Sequence, residues 1–391
     1  MDWKICLVGL GCFLLASCGG GMSAGGNKMD TKSQARTERT PMGWRQVNLT
    51  DPRLAWEGRI SGTLPMFSWT GTQLRLRFRG HGVRFVLESQ GDSRMQEADR
   101  NYYELNIDHR DSSSHAVSKT EREIEVDSLP TGEHEVVLEK VTEALCGRDR
   151  LVRVELLDGE LLQAAPATKR ILFLGNSITA GYGIEDRDPL AHFRPETQNG
   201  SVSYAGVAAG LLQAARVQVC ISGRGLVRNY DGAKDDILPK FFEWSSPQDP
   251  KPWTGEETPD VVVVEIGTND FYQGDPGELT FVLACQQLVR TLMARYPKAH
   301  LVLVDSPMLT DEFPINPRTR KPVPSHSLLR AYLAQVRRGL AASERPRLSV
   351  CQLTPQGEDI YGFGADYHPN REQAGLNGKE LEEHIRAVMK W

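Results

Sequence analysis

Short runs of alternating polar and apolar residues dominate the chain from residue 44 to residue 163. Alternation with a period of two places successive side chains on opposite faces of a β-strand. Gly and Asp turns separate the runs, and no convincing helical pattern lies between them. The runs are Gln73–Arg79, Val83–Leu87, Tyr103–Ile107, Glu123–Val126, His134–Lys140 and Leu151–Leu156. The pattern predicts an all-β sandwich of two antiparallel sheets, a jelly roll, over residues 44–163.

The pattern changes after a linker at 162–168. Continuous apolar runs appear at Ile171–Leu174, Val261–Ile266 and Leu301–Val304, as in strands that are buried on both faces of a parallel sheet. Helical patterns lie between and after these runs, at Tyr204–Ala215, Leu279–Tyr296, Leu328–Ala342 and Gln373–Met389. Strands that alternate with helices predict a three-layer α/β/α domain over residues 168–391.

The N-terminus has the pattern of a secretory signal peptide over residues 1–17, with one early lysine and an apolar run too short to span a bilayer. Small residues before Cys18 resemble the lipobox of bacterial lipoproteins. That resemblance implies a lipid on Cys18, a flexible Gly-rich tether over residues 18–43 and a secreted protein anchored to a bacterial membrane. An ordinary signal peptide with an incidental cysteine is the alternative, and the periplasmic or cell-surface side stays open.

Charge and cysteine content exclude two classes of partner. The net charge is −5 and no basic block is present, so we expect no nucleic-acid partner. The cysteines that remain after processing lack zinc-ligand spacing, and we expect no metal and no other cofactor. Both disulfides and free thiols are possible for Cys146, Cys220, Cys285 and Cys351.

Polar residues with small neighbours follow two of the predicted parallel strands, 171–174 and 261–266, and the stretch 217–221, at the edge where open α/β sheets bind ligands. They are Ser177, Gly223 and Asn269, and His368 comes just before the last helix. A serine nucleophile needs a base, which histidine can supply, and the tetrahedral intermediate needs donors for its oxyanion. The order predicts Ser177 as nucleophile and His368 as base. The N–H groups of Ser177 and Gly223, with the Asn269 side chain, would form the oxyanion hole. Each residue alone also has a structural explanation, such as a helix cap at Ser177.

The order Ser, Gly, Asn, His resembles the SGNH (GDSL-type) hydrolase superfamily. The segment 175–179 (GNSIT) looks like the first sequence block of that superfamily, and 267–270 (GTND) looks like the third. The resemblance implies a flavodoxin-like fold and metal-free, serine-dependent ester hydrolysis. The preceding β domain and the SGRG segment make the chain similar to carbohydrate esterase family two, whose members remove acetyl groups from xylan and other plant polysaccharides. A lipase, a thioesterase and a non-catalytic glycan-binding lipoprotein are the alternatives.

Two further groups of candidate residues lie outside the four motif positions. The superfamily usually places a triad aspartate three residues before the histidine, but Ala365 is there, and Asp366 is two before. We expect Asp366 to complete the triad, with a backbone carbonyl as the alternative partner of His368. Sugar rings pack on aromatic side chains. We therefore expect Trp253, Tyr367 and Tyr182 to bind an acetylated polysaccharide or oligosaccharide, although each could instead be a core residue.

Overall fold

The structure is a computed structural model that describes residues 43–62, 64–90, 100–118, 122–255, 257–316 and 318–391. The predicted signal peptide, Cys18 and the tether up to residue 42 lie outside these ranges. Within them, no helix has the combination of length and apolar character that crossing a bilayer requires.

Antiparallel strands form the region before residue 163. They are β1 (Trp44–Gln46), β2 (Ala55–Glu57), β3 (Met66–Phe67), β4 (Gln73–Gly80), β5 (Gly82–Gln90), β6 (Asn101–Ile107), β7 (Ser113–Val117), β8 (Glu123–Val126), β9 (Gly132–Lys140), β10 (Arg148–Leu157) and β11 (Glu160–Leu162). One sheet has the order β1-β10-β5-β8, with β3 against β10, and the other has the order β11-β4-β9-β6-β7, with β2 against β4.

The two sheets pack face to face around one apolar core. In β4, Leu74, Leu76 and Phe78 are buried between the sheets, while the intervening arginines point outwards. Phe85 and Leu105 enter the same core from the other strands. Burying one face of each sheet removes this apolar area from water, which is the driving force for sheet-on-sheet packing. The predicted β-sandwich is confirmed.

A parallel sheet with helices on both sides forms the region after residue 169. Its strands are β12 (Arg170–Gly175), β13 (Ala215–Cys220), β16 (Val261–Glu265), β17 (His300–Val304) and β18 (Leu348–Cys351), and a small hairpin consists of β14 (Trp244–Ser246) and β15 (Asp249–Pro252). The helices are α1 (Ser177–Ala180), α2 (Tyr204–Leu212), α3 (Leu238–Phe241), α4 (Thr268–Phe271), α5 (Glu278–Arg295), α6 (Ser325–Arg338) and α7 (Arg371–Met389).

The parallel strands are arranged in the order β13-β12-β16-β17-β18, which is the flavodoxin-like order. Helices α5 and α6 cover one face of the sheet, and α2 and α7 cover the other. In β16, Val262 and Val264 face the first helix layer, and Val261 and Val263 face the second. This double burial explains the continuous apolar run in the sequence and confirms the three-layer α/β/α domain.

Buried polar contacts join the sandwich to the α/β region, and both belong to one compact unit. The Arg59 guanidinium is fully buried, pairs with Glu257 at 3.0 Å and donates to the carbonyl of Trp244 at 2.7 Å. In a second contact, Glu139 of β9 accepts a hydrogen bond from Arg216 of β13. Such pairs orient the two halves because a buried charge is costly without its partner.

The cysteines after residue 100 are all buried. Cys220, Cys285 and Cys351 are thiols without a disulfide, and the Sγ of Cys146 lies 3.5 Å from Gln198 Oε1. The sequence left open whether these cysteines form disulfides or remain free thiols, and at these three positions they are free, buried thiols.

Candidate active site

Ser177 lies at the carboxyl edge of the parallel sheet, where β12 ends and α1 begins. The Asn176 side chain caps this short helix by accepting a hydrogen bond from the Ile178 N–H at 3.0 Å. Gly181, with φ +69°, ends the helix after one turn. Ser177 is therefore held on a tight strand–helix turn, and its Oγ lies 2.8 Å from Nε2 of His368. The sequence placed these two residues 191 positions apart, and the fold brings them into contact.

The backbone before His368 sets the orientation of its imidazole ring. Asp366 and Tyr367 both have left-handed conformations, with φ +48° and +58°. This bend directs the carbonyl oxygens of Ala365 and Asp366 to Nδ1 of His368, at 3.2 Å each. A proton on Nδ1 is stabilised by these acceptors, which leaves the lone pair of Nε2 directed at the serine hydroxyl.

The Asp366 carboxylate does not take the triad position that the sequence analysis expected. Among the described residues its hydrogen bonds go to other groups: Oδ2 accepts from the Tyr182 hydroxyl at 2.9 Å and the Phe193 N–H at 3.2 Å, and Oδ1 contacts Nδ1 of His192 at 3.0 Å. The left-handed backbone of Asp366 brings its carbonyl, rather than its side chain, to the histidine. The geometry is thus a Ser–His dyad with backbone acceptors, the alternative that the motif spacing left open.

Tyr182, which the sequence analysis expected to bind a sugar, packs its ring on the imidazole of the base. It stacks on the imidazole of His368 with ring centroids 4.2 Å apart and planes 30° apart. Burial and the neighbouring Asp366 carboxylate raise the pKa of the Tyr182 hydroxyl, so the group stays neutral and donates to that carboxylate. Tyr182 therefore connects Asp366 to the face of His368 without a direct contact between those two side chains.

Desolvation of the imidazole lowers the pKa of His368 to about 4. The two carbonyl acceptors and the negative charge of Asp366 oppose this effect, because each of them favours the imidazolium. At neutral pH the ring is uncharged, which is the form that accepts a proton from a serine hydroxyl.

Gly223 lies in a turn that follows β13, the strand beside β12. The turn is closed by a hydrogen bond of 3.3 Å from the Arg224 N–H to the Ile221 carbonyl, and Gly223 has φ +76°. A Cβ atom at this position would lie 2.8 Å from Cδ1 of Tyr230. Glycine is therefore required here both by the backbone conformation and by the close approach of an aromatic ring.

Asn269 lies in the first turn of α4, just after the carboxyl end of β16. Its side chain forms a hydrogen bond to the turn that contains Gly223. Its Nδ2 donates to the Arg224 carbonyl at 2.8 Å, which uses one of its two N–H groups. The second N–H of Asn269 has no hydrogen-bond partner among the described residues and stays available to an oxyanion. Ser177, Gly223 and Asn269 thus follow three neighbouring strands, β12, β13 and β16, and His368 reaches Ser177 from the turn before α7.

Asp270 supports this loop, a role that no motif in the sequence indicated. Its buried carboxylate accepts from the N–H groups of Leu226, Val227 and Arg228, at 3.0, 2.7 and 3.3 Å. Burial raises the pKa of Asp270 to about 6, while these backbone donors act in the opposite direction. The residues directly after Gly223 are held in place through this side chain.

Trp253 does not lie at the site, contrary to the prediction. It follows the β14–β15 hairpin, and its carbonyl accepts from the Arg295 side chain at 3.3 Å. Arg295 is the last residue of α5, the helix that leads into the amino end of β17. Because all five strands are parallel, this is the edge of the sheet opposite to Ser177. Nothing in the sequence around Trp253 indicates which edge of the sheet its loop joins.

Other aromatic residues lie beside the turn at residues 221–224, which contains Gly223 and is called the oxyanion turn below. Tyr230, whose ring covers Gly223, is half exposed, and its ring meets Tyr272 with centroids 6.1 Å apart. Tyr272 in turn meets Phe313 at 6.5 Å. Of the remaining predicted residues, Tyr367 is partly exposed and packs edge-on against Phe363 at 5.4 Å. Phe313 is 44 residues after Asn269, so no motif spacing indicated it.

Metal-ligating side chains are not grouped in the described parts of the chain: no set of three or more His, Cys, Asp or Glu residues there is arranged to hold a metal ion.

Residues 173–374 match the GDSL-like Lipase/Acylhydrolase family, and residues 56–166 match the Carbohydrate esterase 2 N-terminal family. Among curated proteins, the Cellulase/esterase CelE of Acetivibrio thermocellus is 27% identical over 347 residues, which are 87% of this chain and 40% of that protein. An Acetylxylan esterase / glucomannan deacetylase of Cellvibrio japonicus is 28% identical over 313 residues, covering 78% of this chain and 82% of that protein. The chain thus spans about two fifths of the length of CelE.

Solved structures give the same result. A family two carbohydrate esterase from Clostridium thermocellum, in complex with cellohexaose, superposes with a TM-score of 0.78 at 27% identity, over 86% of this chain and 99% of that one. A family two carbohydrate esterase from Cellvibrio japonicus has a TM-score of 0.76 at 24% identity, over 89% of this chain and 98% of that one. The chain belongs to the GDSL-like lipase/acylhydrolase family, with an N-terminal region of the carbohydrate esterase 2 type.

Proposed function

We propose that the chain is a serine-dependent carbohydrate esterase that removes O-acetyl groups from xylan or related plant polysaccharides and oligosaccharides. The observation that carries this proposal is the 2.8 Å contact between Ser177 Oγ and Nε2 of an uncharged His368. The similarity to an acetylxylan esterase and to a carbohydrate esterase bound to cellohexaose supports the substrate class.

Acylation begins when Ser177 Oγ attacks the acetyl carbonyl carbon and His368 Nε2 accepts the serine proton. The oxyanion that forms is stabilised by the N–H groups of Ser177 and Gly223 and by Asn269 Nδ2. The imidazolium then gives its proton to the sugar oxygen as the bond between that oxygen and the acetyl carbon breaks. The deacetylated sugar leaves, and the acetyl group remains on Ser177.

Deacylation repeats these steps with water. His368 accepts a proton from the attacking water, whose oxygen bonds to the acetyl carbon, and the same donors bind the second oxyanion. When that intermediate collapses, the proton returns to Ser177 Oγ and acetate is released. Throughout the cycle the backbone carbonyls of Ala365 and Asp366 hold Nδ1 protonated. Their partial negative charges stabilise the imidazolium, although less than a full carboxylate charge would.

The aromatic side chains beside the turn at Gly223 favour a carbohydrate ester as the substrate. The exposed rings of Tyr230 and Tyr272 beside the oxyanion turn offer faces on which a sugar can pack.

The test is acetate release from acetylated xylan, acetylated glucomannan and a long-chain ester, with wild type and Ser177→Ala. We expect acetate from the polysaccharides, and a loss of at least about 10³-fold in kcat for Ser177→Ala at an unchanged melting temperature. Hydrolysis of the long-chain ester alone would favour a lipase. Binding of the glycans without hydrolysis by folded wild type would favour a non-catalytic glycan-binding protein.

We also propose that the mature protein is a secreted lipoprotein anchored to a bacterial membrane through Cys18. Support comes from the residues before Cys18 alone, because this segment lies outside the described residues. Mass spectrometry of the purified N-terminal peptide should show acyl chains on Cys18, and Cys18→Ala should move the protein from the membrane fraction to the soluble fraction. An unmodified Cys18 in membrane-associated wild type would contradict the proposal.

A further inference from the structure

A carboxylate from the β-sandwich reaches the oxyanion turn of the α/β region. Glu143 lies in the connection between β9 and β10 and is completely buried. Its Oε2 accepts from the Ser222 N–H at 3.0 Å, and its Oε1 accepts from the Ser222 hydroxyl at 2.5 Å and from Gln198 Nε2 at 3.2 Å. Ser222 is the residue directly before Gly223. None of the motif comparisons in the sequence pointed to Glu143.

The Glu143 carboxylate is buried and surrounded by donors, unlike a carboxylate in a surface hydrogen bond. Burying a carboxylate is costly unless donors compensate for the lost water, and three donors surround Glu143. Burial raises the pKa of Glu143, and the hydrogen bonds from Ser222 and Gln198 oppose that effect. The ammonium of Lys140, which is also fully buried, donates to the Glu143 carbonyl at 3.2 Å. A positive charge therefore lies beside the acid and favours its ionised form.

The geometry of the turn shows what the contact controls. In residues 221–224, the N–H of the fourth residue donates a hydrogen bond to the carbonyl of the first. Gly223, at the third position, has φ +76°. This is the arrangement of a type II turn, which differs from type I by a flip of its central peptide. The central peptide carries the Gly223 N–H, so a flip would turn this donor away from Ser177. Glu143 holds Ser222, one end of that peptide, by two atoms.

We propose that Glu143 is a positioning residue for the oxyanion hole: it fixes Ser222 so that the Gly223 N–H points at the developing oxyanion. The inference rests on the proposed esterase function and deepens it. It makes the β-sandwich part of the reaction machinery, because the acid comes from one half of the molecule and the donor from the other.

Glutamine cannot reproduce this contact. All three partners of the carboxylate are donors, whereas a glutamine side chain presents one oxygen and one NH₂ group. Whichever way the amide is turned, its NH₂ faces a group that also donates, either the Ser222 N–H or Gln198 Nε2. We therefore expect Glu143→Gln to release the turn. Ser222→Ala removes the hydroxyl contact from the other side and keeps the N–H contact.

Glu139 offers a matched control. It is also a buried carboxylate of the sandwich that bonds to the α/β region, through Arg216 at the amino end of β13. That is the edge of the sheet opposite to Gly223. Glu139→Gln should therefore lower the melting temperature, as any loss of a buried contact does, without altering the turn.

The experiment measures kcat and KM with 4-nitrophenyl acetate, the melting temperature, and the Kd of a phenylboronic acid, which forms a tetrahedral adduct on the serine oxygen. We expect Glu143→Gln to lower kcat at least about tenfold with KM within twofold, and to raise the boronate Kd by a similar factor, since the missing donor acts mainly on the tetrahedral state. Ser222→Ala should show a smaller change of the same kind, and Glu139→Gln should keep wild-type kcat.

Three results would overturn the inference. They are wild-type kcat in folded Glu143→Gln, equal kcat losses in Glu143→Gln and Glu139→Gln, and wild-type kcat in Ser222→Ala together with a Glu143→Gln protein that fails to fold. Because 4-nitrophenyl acetate reports on any serine esterase, the outcome is separate from that of the proposed function. Inactivity on acetylated polysaccharides alone would remove the substrate assignment and leave the test of Glu143 intact.

Discussion

Replacing Asp366 by asparagine separates a Ser–His dyad from a triad. The side chain has three hydrogen bonds, and an asparagine can keep all of them. Its oxygen can accept from the Tyr182 hydroxyl and the Phe193 N–H, as Oδ2 does at 2.9 and 3.2 Å, and its NH₂ can donate to Nδ1 of His192 at the 3.0 Å position. Asparagine also tolerates the left-handed backbone at φ +48°. We expect the change in the free energy of unfolding to stay below about 1 kcal/mol.

The effect of Asp366→Asn on catalysis follows from the partners of Nδ1. Where a carboxylate is that partner, replacing it by the amide lowers kcat about 10⁴-fold, because the imidazole adopts the wrong tautomer. Here backbone carbonyls at 3.2 Å are the partners, and the substitution does not change them. The loss of the Asp366 charge removes only a longer-range stabilisation of the imidazolium. At an effective dielectric constant near 20 such an interaction is worth about 1–2 kcal/mol, or roughly five- to thirtyfold in rate.

The assay is the pH profile of kcat/KM for acetate release by wild type, Asp366→Asn and Ser177→Ala. We expect Asp366→Asn to keep at least about 3% of wild-type kcat, in line with that estimate. Its acid limb should move to lower pH, because the Asp366 charge raises the pKa of His368. A loss of 10³-fold or more in folded Asp366→Asn would refute the reasoning and restore the triad.

Three further predictions follow from other residues. The kcat/KM of the wild type should fall only below about pH 5, because His368 with a pKa of about 4 must be neutral to act as base; an acid limb near pH 6.5 would contradict the desolvation argument. Burial raises the pKa of Glu265 to about 8, so the folded state holds a proton there that the unfolded state loses above pH 4.5. The free energy of unfolding should therefore decrease between pH 4.5 and 8, by up to about 1.4 kcal/mol per pH unit, and Glu265→Gln should flatten this slope in urea titrations. Tyr230→Ala should raise KM for acetylated xylan several-fold, whereas Trp253→Ala should change the melting temperature and leave KM unaltered; the reverse pattern would place the sugar at the opposite edge of the sheet.

The division into a sandwich and an α/β region was readable from the sequence. Alternating runs such as Gln73–Arg79 bury one face of a sheet, and continuous runs such as Val261–Glu265 bury both, so each pattern carries its layer arrangement. Parallel strands also place their carboxyl ends at one edge. That rule predicts, from the sequence alone, that Ser177, Gly223 and Asn269 lie close together.

Other features depended on the path of the backbone in three dimensions. The sequence shows an aspartate two residues before His368, but only the left-handed conformations of Asp366 and Tyr367 decide that a carbonyl, not the carboxylate, meets Nδ1. Trp253 stands in a loop whose composition is equally compatible with either edge of the sheet. Its contact with the end of α5 decides the edge, and that contact depends on how the hairpin packs.

The chain by itself therefore determined the two layer arrangements, most of the longer strands and helices, and the residues whose chemistry follows from motif order, because local periodicity and strand direction are properties of nearby residues. The tertiary structure alone decided the partner of His368, the position of Trp253 and the contact between Glu143 and Ser222. That last pair is 79 residues apart and lies in different halves of the molecule. No local pattern records such a contact, since its direction is set by the packing of one half on the other.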